Sequence, residues 1–328
     1  MSNQPGSSTA ESIDRSPEQP AGRTGYAPGT PVLAVLALGW LAAMLWSTRE
    51  AIHSAAVGLT AITLSAFALP GVISAALVAG AAVALAASEL TARRLGDRAA
   101  LRFAAAIGAG MLVGLGTALA INLTYADNAT TNTIAGTSAA AAIIGGALAG
   151  ARTPAPVGAV VTATLGTLLF VVLFSQARDP LFGLFGADDS QASLVGAAKW
   201  VSRTESLLGG LVAGLLAFGY LTWARRRAVR HAPDATAPRW PAYLLAGAGP
   251  GLLLLLTEVI IRIGGRTLLD LAGALSEADA VAQTSMGTSR IDNGIWVLFV
   301  GALTTVVLFG RTLGPAPRDD DPEDPAGD

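Results

Sequence analysis

Long apolar runs separated by short polar blocks set the pattern of this chain. A bilayer core about 30 Å thick takes roughly 20 apolar residues at about 1.5 Å rise each. On that ruler, apolar stretches fall at 31–48, 51–69, 71–91, 103–124, 134–151, 156–176, 206–224, 241–262 and 294–311. Several hold no charge at all, Val157 to Ser175 among them. Backbone groups inside hydrocarbon have no water to bond, which leaves the helix as the spanning structure. The pattern predicts an all-α, polytopic membrane bundle over residues 31–313. The flanks are different material. Residues 1–30 are rich in Ser, Pro and Gly, and 314–328 carry the acidic run Asp319-Asp320-Asp321-Pro322-Glu323-Asp324. Both read as disordered tails. A signal peptide places its basic region directly before its apolar core. Here some thirty polar residues intervene, so 31–48 is expected to be retained.

The span count turns on 51–69. This stretch is apolar enough to cross, and Leu69-Pro70-Gly71 reads as a tight hairpin into the next helix. That gives nine spans with the N-terminus outside. Alternatively, its polar face of His53, Ser54, Thr60, Thr63 and Ser65 keeps it in the outer interface, giving eight spans with both termini inside. Arginine sets the orientation. Arg93, Arg94, Arg98 and Arg102, then Arg152, then Arg225, Arg226, Arg227, Arg230 and Arg239, with Arg311 and Arg318, fall on one side. The positive-inside rule makes that side cytoplasmic, with the C-terminus, in a multi-pass protein of the cell membrane. Trp46, Trp200, Trp223, Trp240, Trp296, Tyr125, Tyr220 and Tyr243 lie near expected span ends, as interfacial anchors do.

Composition narrows the chemistry. Apolar residues make up 52% of the chain and charged ones 13%, with mean hydropathy +0.55. Soluble domains carry about 25% charge. Cysteine is absent and histidine occurs twice, at His53 and His231, so neither thiolate chemistry nor a multi-histidine metal centre is expected. A net charge of −2 argues against nucleic acid as a partner. There is no phosphate loop, no Gly-x-Ser-x-Gly and no His-Glu-x-x-His. No catalytic residue, cofactor or metal ligand is assigned, and the chain is not read as an enzyme.

A candidate internal repeat spans the C-terminal half at an offset of 87 residues. Leu181 to Ala187 aligns with Leu268 to Ala274, and Ser202-Arg203-Thr204-Glu205-Ser206 aligns with Ser289-Arg290-Ile291-Asp292-Asn293. Repeats of this kind often frame the binding site in transporters. The Ser-Arg-x-acid elements also suit helix N-termini, where the acid favours the macrodipole and Ser202, Ser206 or Asn293 can cap. The alternative is a gate or ligand contact. Gly110-x-x-x-Gly114, Gly146-x-x-x-Gly150, Gly210-x-x-x-Gly214 and Gly247-x-x-x-Gly251 offer close helix approach. Asn122, Thr137, Ser138, Thr162, Thr164, Thr167, Thr304 and Thr305 can bond their own helix backbone.

The most unusual span is Gly247-Ala248-Gly249-Pro250-Gly251, followed by Leu252 to Leu256 and Thr257 to Arg262. Pro250 removes the bond to the carbonyl of Ala246, so the sequence predicts a broken helix. Glu258 and Arg262 stand four apart in the acid-first order that favours pairing. Counted from Trp240, Glu258 lies about 27 Å up the helix, near the outer surface. Ionisable residues within spans are functional candidates. Pro250, Glu258 and Arg262 are therefore the candidate path-lining residues of a permease-like or channel-like protein for a small solute. The alternative is a non-transporting scaffold that packs with other membrane subunits or with itself. Most spans offer a polar substrate only Thr or Ser, which favours the scaffold. Lipid is the one partner both readings share.

Overall fold

The computed structural model describes residues 27–54, 58–95, 98–124, 129–186, 188, 190–231 and 238–313. The described residues are helical, with short turns between helices. In chain order they form α1 (Thr30–Ser54), α2 (Gly58–Leu95), α3 (Ala99–Thr124), α4 (Ala129–Gly150), α5 (Pro154–Gln176), α6 (Arg178–Leu184), α7 (Gln191–His231), α8 (Trp240–Gly264), α9 (Arg266–Leu275) and α10 (Glu277–Gly310). Eight of these are long and apolar enough to cross a membrane; α6 and α9 are the short exceptions. The protein is a polytopic helical membrane bundle.

The hairpin expected at Leu69-Pro70-Gly71 does not form, and among the described residues eight helices, not nine, have spanning length and hydropathy. Helix α2 runs for 38 residues with Pro70 inside it. A proline removes one helical hydrogen bond and crowds one carbonyl, which bends a helix but need not end it. Around Pro70, Leu69, Val72 and Ile73 are all buried, so packing holds the axis together. Residues 51–54 close α1 instead, and the helix from Gly58 is the front end of α2. The side chains of His53 and His231, like the tails at 1–26 and 314–328, lie outside the described residues. Residues 27–30, read as tail, are packed: Ala27 and Thr30 are buried.

Both ends of the described chain reach the arginine-rich face. The Thr30 hydroxyl donates to Glu89 Oε2, while Glu89 Oε1 receives Arg93 at 2.6 Å, one turn away. The Tyr220 hydroxyl donates to the carbonyl of Pro28 at 2.8 Å. At the other end, Phe309 packs on Tyr243, ring centres 4.6 Å apart, close to Arg239. Tyr220 and Tyr243 are thus buried packing residues rather than interfacial anchors. Tyr125 lies outside the described residues. Trp46, Trp200, Trp223, Trp240 and Trp296 are exposed on the bundle surface.

The bundle has two halves. Helices α1 to α4 pack around α2, the most enclosed span, and α5 to α10 pack around the pair α8 and α10. Small residues set both interfaces. A methyl group at Gly146 would sit 2.9 Å from Cα of Gly110, so the Gly-x-x-x-Gly elements of α3 and α4 meet each other. In the second half Gly301 of α10 stands between Gly214 of α7 and Gly247 of α8. Thr305 donates to its own Gly301 carbonyl at 2.8 Å and to the Gly214 carbonyl at 3.1 Å, linking the helices by a hydrogen bond. Other threonines behave as the sequence suggests: Thr137, Thr162, Thr164 and Thr167 each donate to the carbonyl four residues back.

Candidate functional site

The two halves do not close completely against each other. A cavity of about 210 Å³ remains between α2, α5, α7, α8 and α10. Its lower wall carries Thr164 and Pro250, and its upper wall carries Glu205, Glu258, Arg290 and Asn293. Pro70 and Ser74 of α2 form the side contributed by the first half.

Pro250 lies inside α8, which continues without a break from Trp240 to Gly264. The broken helix expected from Gly249-Pro250-Gly251 is therefore not present. The same physics as at Pro70 applies: one bond is lost, and burial of Ala246 to Gly251 holds the axis. The flanking glycines serve contact instead, with Gly247 against α10 and Gly251 against Leu298 and Gly294. Both in-helix prolines line the cavity, Pro70 from α2 and Pro250 from α8.

Glu258 is 5% exposed although it sits near one end of its helix. Neighbouring helices cover it where a lone helix would leave it open. Its two oxygens are divided between two arginines. Oε1 accepts from Arg262 Nε at 3.1 Å, the pair the four-residue spacing implies. Oε2 accepts from Arg290 Nε of α10 at 2.9 Å. Arg262 does not line the cavity; its side chain is 58% exposed and holds Glu258 from the outer side. Arg290, 32% exposed, does line it. Close by, Glu205 of α7 accepts from Arg178 Nη2 of α6 at 3.2 Å. A charge pair so enclosed is costly to break from one side, because the survivor keeps its desolvation penalty without its partner.

The Ser-Arg-x-acid elements are not helix caps. Ser202 to Ser206 lie more than ten residues inside α7, and Ser289 to Asn293 lie as deep inside α10. Ser206 donates back to the Ser202 carbonyl at 2.9 Å in mid-helix. The helices extend outward past the expected span ends, which moves these residues off the termini. From the two elements come Glu205, Arg290 and Asn293 of the cavity wall. In the sequence these elements read as a gate or ligand contact only as the alternative to capping. Their one signal was the alignment at an offset of 87 residues, which placed both elements at the same level.

Comparison with protein-family models, with curated proteins and with solved structures finds no match to this chain.

Proposed function

We propose that the protein is a permease-like carrier of a small solute, with the cavity under Glu258 and Arg290 forming part of the path. One observation carries this reading: a partly open cavity bordered by the charged side chains of Glu205, Glu258 and Arg290 sits where the two halves of an otherwise tightly packed bundle meet. Buried charge in a membrane bundle is expensive and is retained mainly where a solute or ion must pass. The prolines, one in each half, supply bending points for one half to move against the other. The element order span, short helix, long helix occurs in α5–α6–α7 and again in α8–α9–α10, in keeping with an 87-residue repeat of the kind found in transporters. In this reading the arginine-rich face is cytoplasmic and the charged end of the cavity faces outward, and the chain performs no covalent chemistry of its own.

The test is flux in reconstituted vesicles over a panel of small neutral, anionic and cationic solutes. Glu258→Gln, at normal accumulation, is expected to lower flux at least about tenfold, since it leaves Arg290 without its charged partner. Arg262→Gln, on the exposed side, is expected to cost less. Wild-type flux in both variants would place the path elsewhere.

The scaffold reading keeps one observation of its own. Helix α7 has 41 residues, about 61 Å at about 1.5 Å each, twice what a span needs. Its outer end exposes Leu194, Val195 and Trp200, and the first turns of α10 expose Val281 and Met286. Failure of both charge variants to accumulate, with no flux in the wild type, would favour it.

A further inference from the structure

We propose that a groove between α1 and α7 binds one anionic phospholipid from the leaflet at the arginine-rich face. Its acyl chain lies along α7, and its phosphate sits on the arginines that follow. Helices α1 and α7 both pack on α5 and leave between them a groove of about 400 Å³. Val32 and Leu33 line it from α1, Leu215, Leu216 and Gly219 from α7, and Thr162 from α5. The two hydroxyls in its wall are already bonded, Thr162 to the Gly158 carbonyl and Tyr220 to that of Pro28. The groove therefore favours an apolar occupant.

Its depth points to a single acyl chain. From Leu215 to Trp223 is about 12 Å of helix, close to half of a hydrocarbon core about 30 Å thick. The apolar stretch of α7 runs to Ala224, and the arginines begin at Arg225, so the groove occupies one leaflet. Val32 and Leu215 are exposed on it. Gly219 has no side chain, and a methyl group there would meet nothing within 4 Å, so the middle of the groove is open to lipid.

Charge names the headgroup. Arg226, Arg227 and Arg230 come three, four and seven residues after Trp223, on the face of α7 that forms the groove. They do not line it; they stand one to two turns past its mouth, where a headgroup lies when its chain is inside. All three are exposed. The Arg227 guanidinium rests over the Trp223 ring, 5.6 Å from its centre, which holds it at the mouth. Arg225 serves the bundle instead, through a hydrogen bond with Tyr243. Among the described residues of this face the one carboxylate is Glu89, and it is engaged by Thr30 and Arg93. Arginine matches phosphate with paired hydrogen bonds, and basic residues beside a span favour anionic lipid. A zwitterionic lipid has the same chain and phosphate but brings its own cation to the arginines.

The experiment counts lipid retained by the purified full chain in detergent, by native mass spectrometry. The probes are dioleoyl phosphatidylglycerol and dioleoyl phosphatidylcholine. One phosphatidylglycerol is expected to bind at least about tenfold more tightly than phosphatidylcholine, with the difference shrinking at high salt. Arg226→Gln with Arg230→Gln should weaken phosphatidylglycerol about tenfold or more and leave phosphatidylcholine unchanged. Gly219→Leu fills the groove and should weaken phosphatidylglycerol to a similar extent. Gly39→Leu, on α1 and also open to its surroundings, should leave it as in the wild type. Should the arginine pair fail to accumulate, Gly219→Leu against Gly39→Leu decides. Equal retention of the two lipids, wild-type phosphatidylglycerol binding in the arginine pair or in Gly219→Leu, or equal loss in Gly39→Leu each overturns the proposal. A dimer that Gly219→Leu splits, with phosphatidylglycerol binding unchanged, would put a second copy over the groove and overturns it too.

Discussion

At the residue scale, the charged cluster depends on a position with no side chain. A methyl group at Gly287 of α10 would lie 3.2 Å from Glu258 Oε1, with Nη2 of Arg290 at 3.7 Å and of Arg262 at 3.8 Å. Glycine there lets α10 close over the carboxylate. Gly287→Val should push the ion pairs apart and lower stability by about 1–3 kcal/mol, read as an earlier thermal unfolding transition in detergent. Gly183→Ala, with nothing within 4 Å of the added carbon, serves as the comparison. Equal melting of the two variants would show that the close approach at Gly287 has no energetic weight. The Glu258–Arg262 pair was legible from its four-residue spacing, because a helix brings such residues onto one face. Arg290 was not. It reaches Glu258 across 32 residues of chain, and no local rule links them.

At the element scale, both prolines show how far packing overrides a local breaker. Pro70 and Pro250 each end a helix in a reading built on hydrogen bonds alone. Each sits mid-helix here, because buried neighbours on both sides hold the axis. The glycines of the four Gly-x-x-x-Gly elements were legible as contact residues, but their partners were not. Gly301, central to α7, α8 and α10, belongs to none of those elements. Gly301→Ala places a methyl group against the Gly247 carbonyl and should cost at least about 1–3 kcal/mol of stability. Gly116→Ala on α3 meets nothing within 4 Å and should melt with the wild type. A silent Gly301→Ala would mean that the three helices do not meet there.

At the scale of the whole molecule, eight spans and nine spans make opposite statements about the N-terminus. In the nine-span arrangement Thr30 and Glu89 stand on opposite sides of the membrane. In the structure their side chains are hydrogen-bonded. The chain holds no cysteine, so Thr30→Cys with Glu89→Cys gives a clean pair for a short bifunctional thiol reagent. Cross-linking within one chain is expected, and its absence under conditions that cross-link a neighbouring-turn control would revive the ninth span. By itself the sequence determined the class: apolar runs of spanning length leave helices as the one way to satisfy the backbone in hydrocarbon. It also determined which loops share the arginine-rich face, since that bias is written locally. The tertiary structure decided what depends on distant residues meeting. It joined 58–69 to the helix that follows, turned two presumed caps into a cavity wall, and brought Arg290 to Glu258. Each of these rests on contacts between helices far apart along the chain, where spacing carries no information.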